Sequence, residues 1–200
     1  MQYSTFAAID IGSYDVILEI FEISKKQGIR SVDKICHRME LGKDTYTLGK
    51  IRPEMEEELC RVLADFVRIM EGYRVDDYRA TASSAISEAS NSLYVLGKIH
   101  QLTGFSVTVL SNSEQRFLSY KALAAMEDNF NKIIEKGTAI LDLDGGSFQI
   151  SLFDKDALVT TQNIRMGSLR IRERLAGIQS ETEHYEEMVE ELIWNEVSSF

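Results

Sequence analysis

Ala8-Ile9-Asp10-Ile11-Gly12-Ser13 runs into Val16-Ile17-Leu18-Glu19-Ile20-Phe21, and Ile140-Leu141-Asp142-Leu143-Asp144-Gly145-Gly146-Ser147 runs into Ile150-Ser151-Leu152-Phe153-Asp154. The two stretches read as versions of one design: an apolar strand, an acidic residue near its end, a glycine-serine turn and a second strand. An acidic side chain at the carboxyl end of a strand points out of the sheet edge. Glycine lets the chain turn with positive φ, or lets a ligand approach the backbone closely. Successive N–H groups in such a turn form a concavity for anions. One such hairpin is an ordinary turn. Two in one chain point to a two-lobed, phosphate-handling cleft with one hairpin opening each lobe. Gly12 and Ser13, and Gly145, Gly146 and Ser147, are then the expected phosphate-binding residues. Asp142 and Asp10 are the candidate Mg²⁺ ligands, because a hard cation favours carboxylate and phosphate oxygens. Asp144 sits in the turn itself, where a carboxylate repels phosphate unless a metal lies between.

Composition narrows the class. The chain has 200 residues, 44% of them hydrophobic, enough to bury an ordinary globular core. The net charge of −10 argues against general nucleic-acid binding, which needs a basic face. Much of the acid is local, at Glu54, Glu56, Glu57 and Glu58 and again at Glu181, Glu183, Glu186, Glu187, Glu190 and Glu191. Both runs are expected on the solvated faces of helices. No apolar run is long enough to span a bilayer, and Met1-Gln2-Tyr3-Ser4-Thr5 lacks the basic start of a signal peptide. Cys36 and Cys60 have no metal-ligand spacing and are too few for a disulfide framework. A cytoplasmic protein with no membrane partner is the expectation.

Periodicity places the elements. Strands are expected at 5–11, 16–23 and within 29–40. Pro53 suits a first helical turn. Met55, Leu59, Val62, Leu63, Phe66, Val67 and Met70 then recur at helical spacing, with Gly72 the expected stop. A strand at 75–82, helix at 84–102, strand at 105–110 and a helix from Ser113 follow. Lys136-Gly137 breaks the pattern before strands at 138–143, 147–153 and 157–163, and helical signals return from about 168 and 181. Three strands followed by alternating helix and strand give a mixed sheet flanked by helices. The fold class is α/β, with lobes at 1–130 and 131–200. The second restarts the order of the first but stops after helices, so it looks incomplete: a fragment, or a lobe completed by another chain.

Two further segments could meet phosphate. Leu110-Ser111-Asn112-Ser113-Glu114-Gln115-Arg116 lies where a strand gives way to a helix, and a helix N-terminus favours anions. Glu114 also suits a plain first-turn acid. Asn163-Ile164-Arg165-Met166-Gly167-Ser168-Leu169-Arg170 leaves a strand through glycine, and Arg165 or Arg170 could reach a phosphate oxygen.

With these segments in view, the chain resembles the exopolyphosphatase and guanosine pentaphosphate phosphohydrolase family. That family belongs to the actin-like superfamily of two ribonuclease H-like lobes. Ala7-Ala8-Ile9-Asp10-Ile11-Gly12-Ser13 matches its opening motif. Ala82-Ser83-Ser84-Ala85-Ile86-Ser87-Glu88-Ala89-Ser90-Asn91 matches its Ala-Thr-Ser-Ala-Leu-Arg-x-Ala-x-Asn segment. Val109 through Tyr120 matches the strand-to-helix segment that carries a catalytic glutamate. Leu141 through Gln149 matches Ile-Asp-Ile-Gly-Gly-Gly-Ser-Thr-Glu, and Met166-Gly167-Ser168-Leu169-Arg170 matches Leu-Gly-Ala-Val-Arg.

The chain departs from that pattern at chemically important positions. The glutamate that would orient the attacking water falls at Gln115, and the second glutamate of the glycine hairpin at Gln149. The phosphate-binding arginine falls at Ser87, the asparagine after Gly-Ser at Tyr14, and the first hairpin glycine at Asp144. An amide cannot take a proton from water near neutral pH, and general-base help is typically worth about 10²–10⁴ in rate. Glu114 points about 100° away from Gln115 on a helix and compensates only if the register shifts.

The resemblance therefore implies catalytic positions at Gln115, Gln149 and Asp142, and Mg²⁺ as cofactor. It also implies a polyphosphate or guanosine polyphosphate ligand between the lobes, and a homodimer. Hydrolysis is expected to be weakened or lost. The alternative is an active hydrolase releasing terminal phosphate with Mg²⁺. An actin-like ATPase or sugar kinase is weaker, because the adenosine site of those proteins comes from a later part of the second lobe.

Overall fold

The structure, a computed structural model, describes residues 3–127, 129–176 and 184–198. Its leading strand, β1 (Ser4–Ile11), buries Ala7, Ile9 and Ile11. Across the Gly12-Ser13 turn, β2 (Asp15–Ser24) buries Val16, Leu18 and Ile20. Alternation of period two puts these side chains on one face. β1 and β2 are antiparallel, with Ile11 opposite Val16. β3 (Gly28–Arg38) adds to β2 antiparallel. β4 (Asp77–Ala82) pairs parallel with the other side of β1, and β5 (Val107–Val109) pairs parallel with β4. The five-stranded order is β3-β2-β1-β4-β5, so β1 lies at the centre of a mixed sheet.

Helices α1 (Leu41–Leu48), α2 (Pro53–Tyr73), α3 (Ser84–Ser87) and α4 (Ser92–Thr103) connect these strands. Pro53 occupies the first turn of α2, where its missing N–H costs nothing. Leu59, Val62, Leu63, Phe66 and Met70 fall on one stripe and are buried in the core. The acidic run at the start of α2 is not uniformly solvated: Glu54 and Glu57 are exposed, but Glu56 is only 3% exposed. Its carboxylate is 2.5 Å from Lys98 Nζ of α4, which offsets the cost of burying the charge. Cys60 is buried and Cys36 exposed, both as free thiols.

The chain reverses after α2 at Arg74 rather than at Gly72. Arg74 adopts left-handed φ of 53° and donates its N–H to Glu71 O, while Val75 N–H reaches Met70 O. This is the two-bond C-terminal motif that normally selects glycine. Gly72 stays inside the helix because the motif's bonds close around residue 74.

Residues 111–200 form a second unit. Helices α5 (Asn112–Met126) and α6 (Phe130–Ile134) precede strands β6 (Thr138–Leu143), β7 (Phe148–Asp154) and β8 (Ala157–Ile164), and α7 (Ser168–Leu175) and α8 (Tyr185–Val197) follow. The sheet is antiparallel in the order β6-β7-β8. On one face Ile150, Ile164 and Met166 are buried, with Ile171 of α7 and Leu192 and Val197 of α8 packed against them. On the other, Ser119 and Tyr120 of α5 bond Asp142 and Ser151, and the Tyr120 ring meets Phe153 edge-on at 5.2 Å.

These contacts place α5 with the second unit. Division at 130/131 would assign α5 to the first lobe, but the chain divides between Leu110 and Ser111 because α5 packs on the β6-β7-β8 sheet. Among the described residues β6 is paired on one side only, and Leu141 and Leu143 are 62% and 64% exposed. The equivalent strand of the first unit, β1, carries β4 on that side. The later acidic run lies on α8, where Glu186, Glu187, Glu190 and Glu191 are exposed; Glu181 and Glu183 lie outside the described residues. No helix among the described residues is long and apolar enough to cross a membrane.

A left-handed backbone costs a residue with a Cβ about 1–2 kcal/mol relative to glycine. Arg74→Gly is expected to stabilise the protein by about 1 kcal/mol, read as a higher urea midpoint at unchanged slope. A lower midpoint would show that the Arg74 side chain contributes more than its backbone conformation costs.

Candidate functional site

Each leading strand ends in a turn, and the two turns are built differently. In the first unit Asp10 is exposed at the end of β1, its Oδ1 3.5 Å from Thr81 Oγ1 on the parallel neighbour. Gly12 closes the turn by donating its N–H to Asp15 O at 3.0 Å. Its φ is not positive. A Cβ at residue 12 would meet Asp15 O at 2.9 Å, so glycine is needed for close approach rather than for left-handed freedom.

Ser13 is fully buried. Its hydroxyl is 2.7 Å from Tyr46 Oη and 3.1 Å from Ser84 Oγ, and those two are 2.8 Å apart. Each hydroxyl can donate once and accept from another, so the triangle can satisfy itself. Neighbouring Ser83 is also buried, and its Oγ has no partner. Ser87 is exposed, its hydroxyl 3.5 Å from Ser84 O. The fold thus brings Ser84, not Ser87, to Ser13. Sequence reading missed Ser84 and Tyr46. Ser84 lies within the quoted Ala82–Asn91 segment and could have been found there. Tyr46 comes from α1, with no motif to mark it.

In the second unit the polar side chains form a row across the sheet. Asp142 on β6 pairs with Gln149 on β7, which pairs with Asn163 on β8. Directly opposed residues hold their Cβ atoms roughly 5 Å apart. Asn163 Nδ2 donates to Ser147 Oγ at 3.3 Å. Above the row, Gln115 and Ser119 are four residues apart on α5 and so share one face. Ser119 Oγ donates to Asp142 Oδ2 at 3.2 Å, and Gln115 Nε2 lies 3.5 Å from Asp144 Oδ2. Gln149 is 3% exposed, and its Oε1 has no hydrogen-bond partner. Gln115, Gln149, Asp142, Asp144 and Ser147 therefore gather in one cluster, with Ser119 and Asn163 added by the tertiary structure.

The turn itself is filled from inside. Asp144 N–H closes the hairpin onto Ser147 O at 2.9 Å. Gly145 N–H points to Asp144 Oδ1 at 2.5 Å. The amide that an incoming phosphate would use is already facing a carboxylate.

Both flanking helix starts are occupied too. Ser111 caps α5: its Oγ accepts Glu114 N–H at 3.3 Å, and Glu114 Oε2 accepts Ser111 N–H at 2.8 Å. Glu114 is thus a capping-box residue, not a substitute for Gln115. At α7, Ser168 N–H bonds Asp144 O, and Leu169 and Arg170 N–H both bond Gly145 O, each at 3.1 Å. Arg170 Nε donates to Gly146 O at 3.0 Å, so this arginine braces the turn, while Arg165 is exposed.

This docking needs Gly167. A Cβ there would lie 2.3–2.4 Å from Gly145 C and O and Asp144 O, backbone atoms that cannot swing aside. Cofactor capacity is limited: among the described residues no three His, Cys, Asp or Glu side chains form a ligand group. The donor chemistry of Asp142, Asp144 and the unpartnered Gln149 Oε1 nevertheless suits Mg²⁺, which commonly uses one or two carboxylates and completes its shell with water and substrate phosphate.

Gly167→Ala is expected to destabilise the protein by about 1–3 kcal/mol through overpacking, read in urea unfolding. Gly137→Ala, where a Cβ would meet nothing within 4 Å, serves as control. Equal stability of the two variants would show that the turn and α7 do not depend on that close approach.

The comparisons with known proteins bear on this geometry. Over 144 residues the chain is 25% identical to Exopolyphosphatase 1 of Mycobacterium leprae, covering 72% of this chain and 41% of that protein. It is 22% identical over 174 residues to a bifunctional 3-dehydroquinate synthase/phosphatase of Fusobacterium nucleatum, covering 84% of this chain and 26% of that one. Among solved structures, an exopolyphosphatase-like protein superposes with TM-score 0.81 at 20% identity, over all of this chain and 62% of its own. The Aquifex aeolicus PPX-GPPA enzyme gives TM-score 0.74 at 22% identity, over 99% and 64%. The chain thus spans less than half of these curated relatives and under two-thirds of these solved ones. The structural likeness shows the fold, two ribonuclease H-like lobes of the actin-like class. The family model for Ppx/GppA phosphatases matches residues 19–199, and the chain belongs to the Ppx/GppA phosphatase family.

Proposed function

We propose that the chain binds a phosphoanhydride-linked anion, polyphosphate or a guanosine polyphosphate, at the Asp142–Gln149 cluster, and hydrolyses it weakly or not at all. Family membership and the exopolyphosphatase names of its relatives support the ligand class. One observation carries the loss of turnover: Gln115, where the family resemblance expects the water-orienting glutamate, offers an amide N–H to Asp144 Oδ2. A group donating a hydrogen bond to a carboxylate is not placed to take a proton from water. Asp142, held by Ser119, remains available to a cation. Mg²⁺, when bound, would neutralise phosphate charge there. Gln149 adds a neutral oxygen to the cluster and no charge.

Calorimetry with polyphosphate and guanosine tetraphosphate in Mg²⁺ is expected to show binding, while phosphate release stays at background. Mg²⁺-dependent release that disappears in Asp142→Ala would overturn this reading in favour of a working hydrolase. Restoring the base should require more than one change. Two carboxylates about 4 Å apart repel by about 4 kcal/mol at an effective dielectric of 20, so Gln115→Glu beside Asp144 is penalised. Gln115→Glu with Gln149→Glu should recover little release. Adding Asp144→Gly should raise it by about 10²–10⁴, the usual contribution of a general base. Full recovery without Asp144→Gly would show that residues 115 and 144 are not coupled.

A further inference from the structure

The least expected residue in the cluster is Asp144. Its Oδ1 lies 2.5 Å from Gly145 N and its Oδ2 3.5 Å from Gln115 Nε2. Gly145 N–H and the Gln115 amide are two of the donors available to an anion at this turn, and one side chain faces both. Asp144 N–H closes the hairpin and those of residues 168–170 bond the turn's own carbonyls, which leaves the N–H groups of Gly146 and Ser147 as the turn's other backbone donors. A second observation is independent of Asp144. Gln149 Oε1, 3% exposed and without a partner, is an acceptor seeking a donor or a cation. With Asp142 and Asp144, the cluster presents acceptors where an anion needs donors.

We propose that Asp144 is a built-in competitor for anionic ligands at the Gly145–Gly146–Ser147 turn, so that this unit takes a phosphate group only when a divalent cation neutralises the carboxylate. Without cation, the carboxylate holds Gly145 N–H and repels phosphate. With cation, Asp144 and Asp142 become its ligands, Gly145 N–H is released to a phosphate oxygen, and Gln149 Oε1 gains a cation or its water as partner. Asp144 is then the residue that sets which ionic form of the ligand is accepted: the metal complex and not the bare polyanion. This rests on the anion-binding reading of the same cluster.

The test is calorimetric titration of tripolyphosphate into the wild-type chain, Asp144→Gly and Asp144→Asn, each in EDTA and in Mg²⁺. Far-ultraviolet circular dichroism and melting of each variant establish that it is folded. Wild type is expected to bind only in Mg²⁺. Both variants are expected to bind in EDTA, at least tenfold tighter than wild type, and Asp144→Asn shows that charge rather than shape is responsible. If wild type binds in EDTA as tightly as Asp144→Gly, or both variants lose the binding seen for wild type in Mg²⁺, the competitor role is wrong while the cluster remains an anion site. Absence of binding by all three chains in either buffer would remove the anion-site reading, and the competitor with it.

Discussion

The second unit hangs on a backbone contact that leaves no room for a single carbon atom. The first N–H groups of α7 reach the carbonyls of Asp144 and Gly145 because residue 167 has no Cβ. This contact fixes where the turn lies relative to the strands that lead into it. It also consumes the helix N-terminus, which would otherwise attract an anion. The partial positive charge of α7 is spent on holding the loop. What remains for a ligand is the side-chain row on the sheet beneath and the amides of the turn itself.

The turn in the first unit obeys the same constraint with different groups. Gly12 is required because Asp15 O sits where a Cβ would be. The serine that follows is not presented to solvent but sealed against Tyr46 and Ser84. Three hydroxyls in a closed triangle tie the turn to α1 and α3, so Ser13 acts as a clasp. The two hairpins share a sequence pattern, yet one turns its hydroxyl inward and the other gathers acceptors around a self-occupied amide.

Charge explains why Gln115 and Asp144 belong together. A carboxylate in the turn would face another on α5 if residue 115 were glutamate. With glutamine the pair becomes donor and acceptor. The acidic member of this pair is thus on the turn and the amide on the helix. Gln149 follows the same logic, since a buried carboxylate beside the half-buried Asp142 would add repulsion without an added positive partner.

The strands, the major helices and the two acid-and-glycine turns were legible from the chain alone, because alternation and helical spacing follow directly from burial of one face. So were the residues of the cluster, since Gln115, Asp142, Asp144, Ser147 and Gln149 sit in contiguous motifs. Partners drawn from other elements were not legible: Tyr46 for Ser13, Ser119 for Asp142, Lys98 for the buried Glu56. Nothing local marks a residue whose role depends on a neighbour dozens of positions away. Which unit α5 joins was not legible for the same reason, because helical periodicity shows that α5 has an apolar stripe but not which sheet it covers. Sequence by itself determined the strands, the major helices, the turns and the chemistry each turn could offer. Tertiary structure alone decided which of those groups were already engaged, because hydrogen bonds are allotted by distance in space and not by separation along the chain.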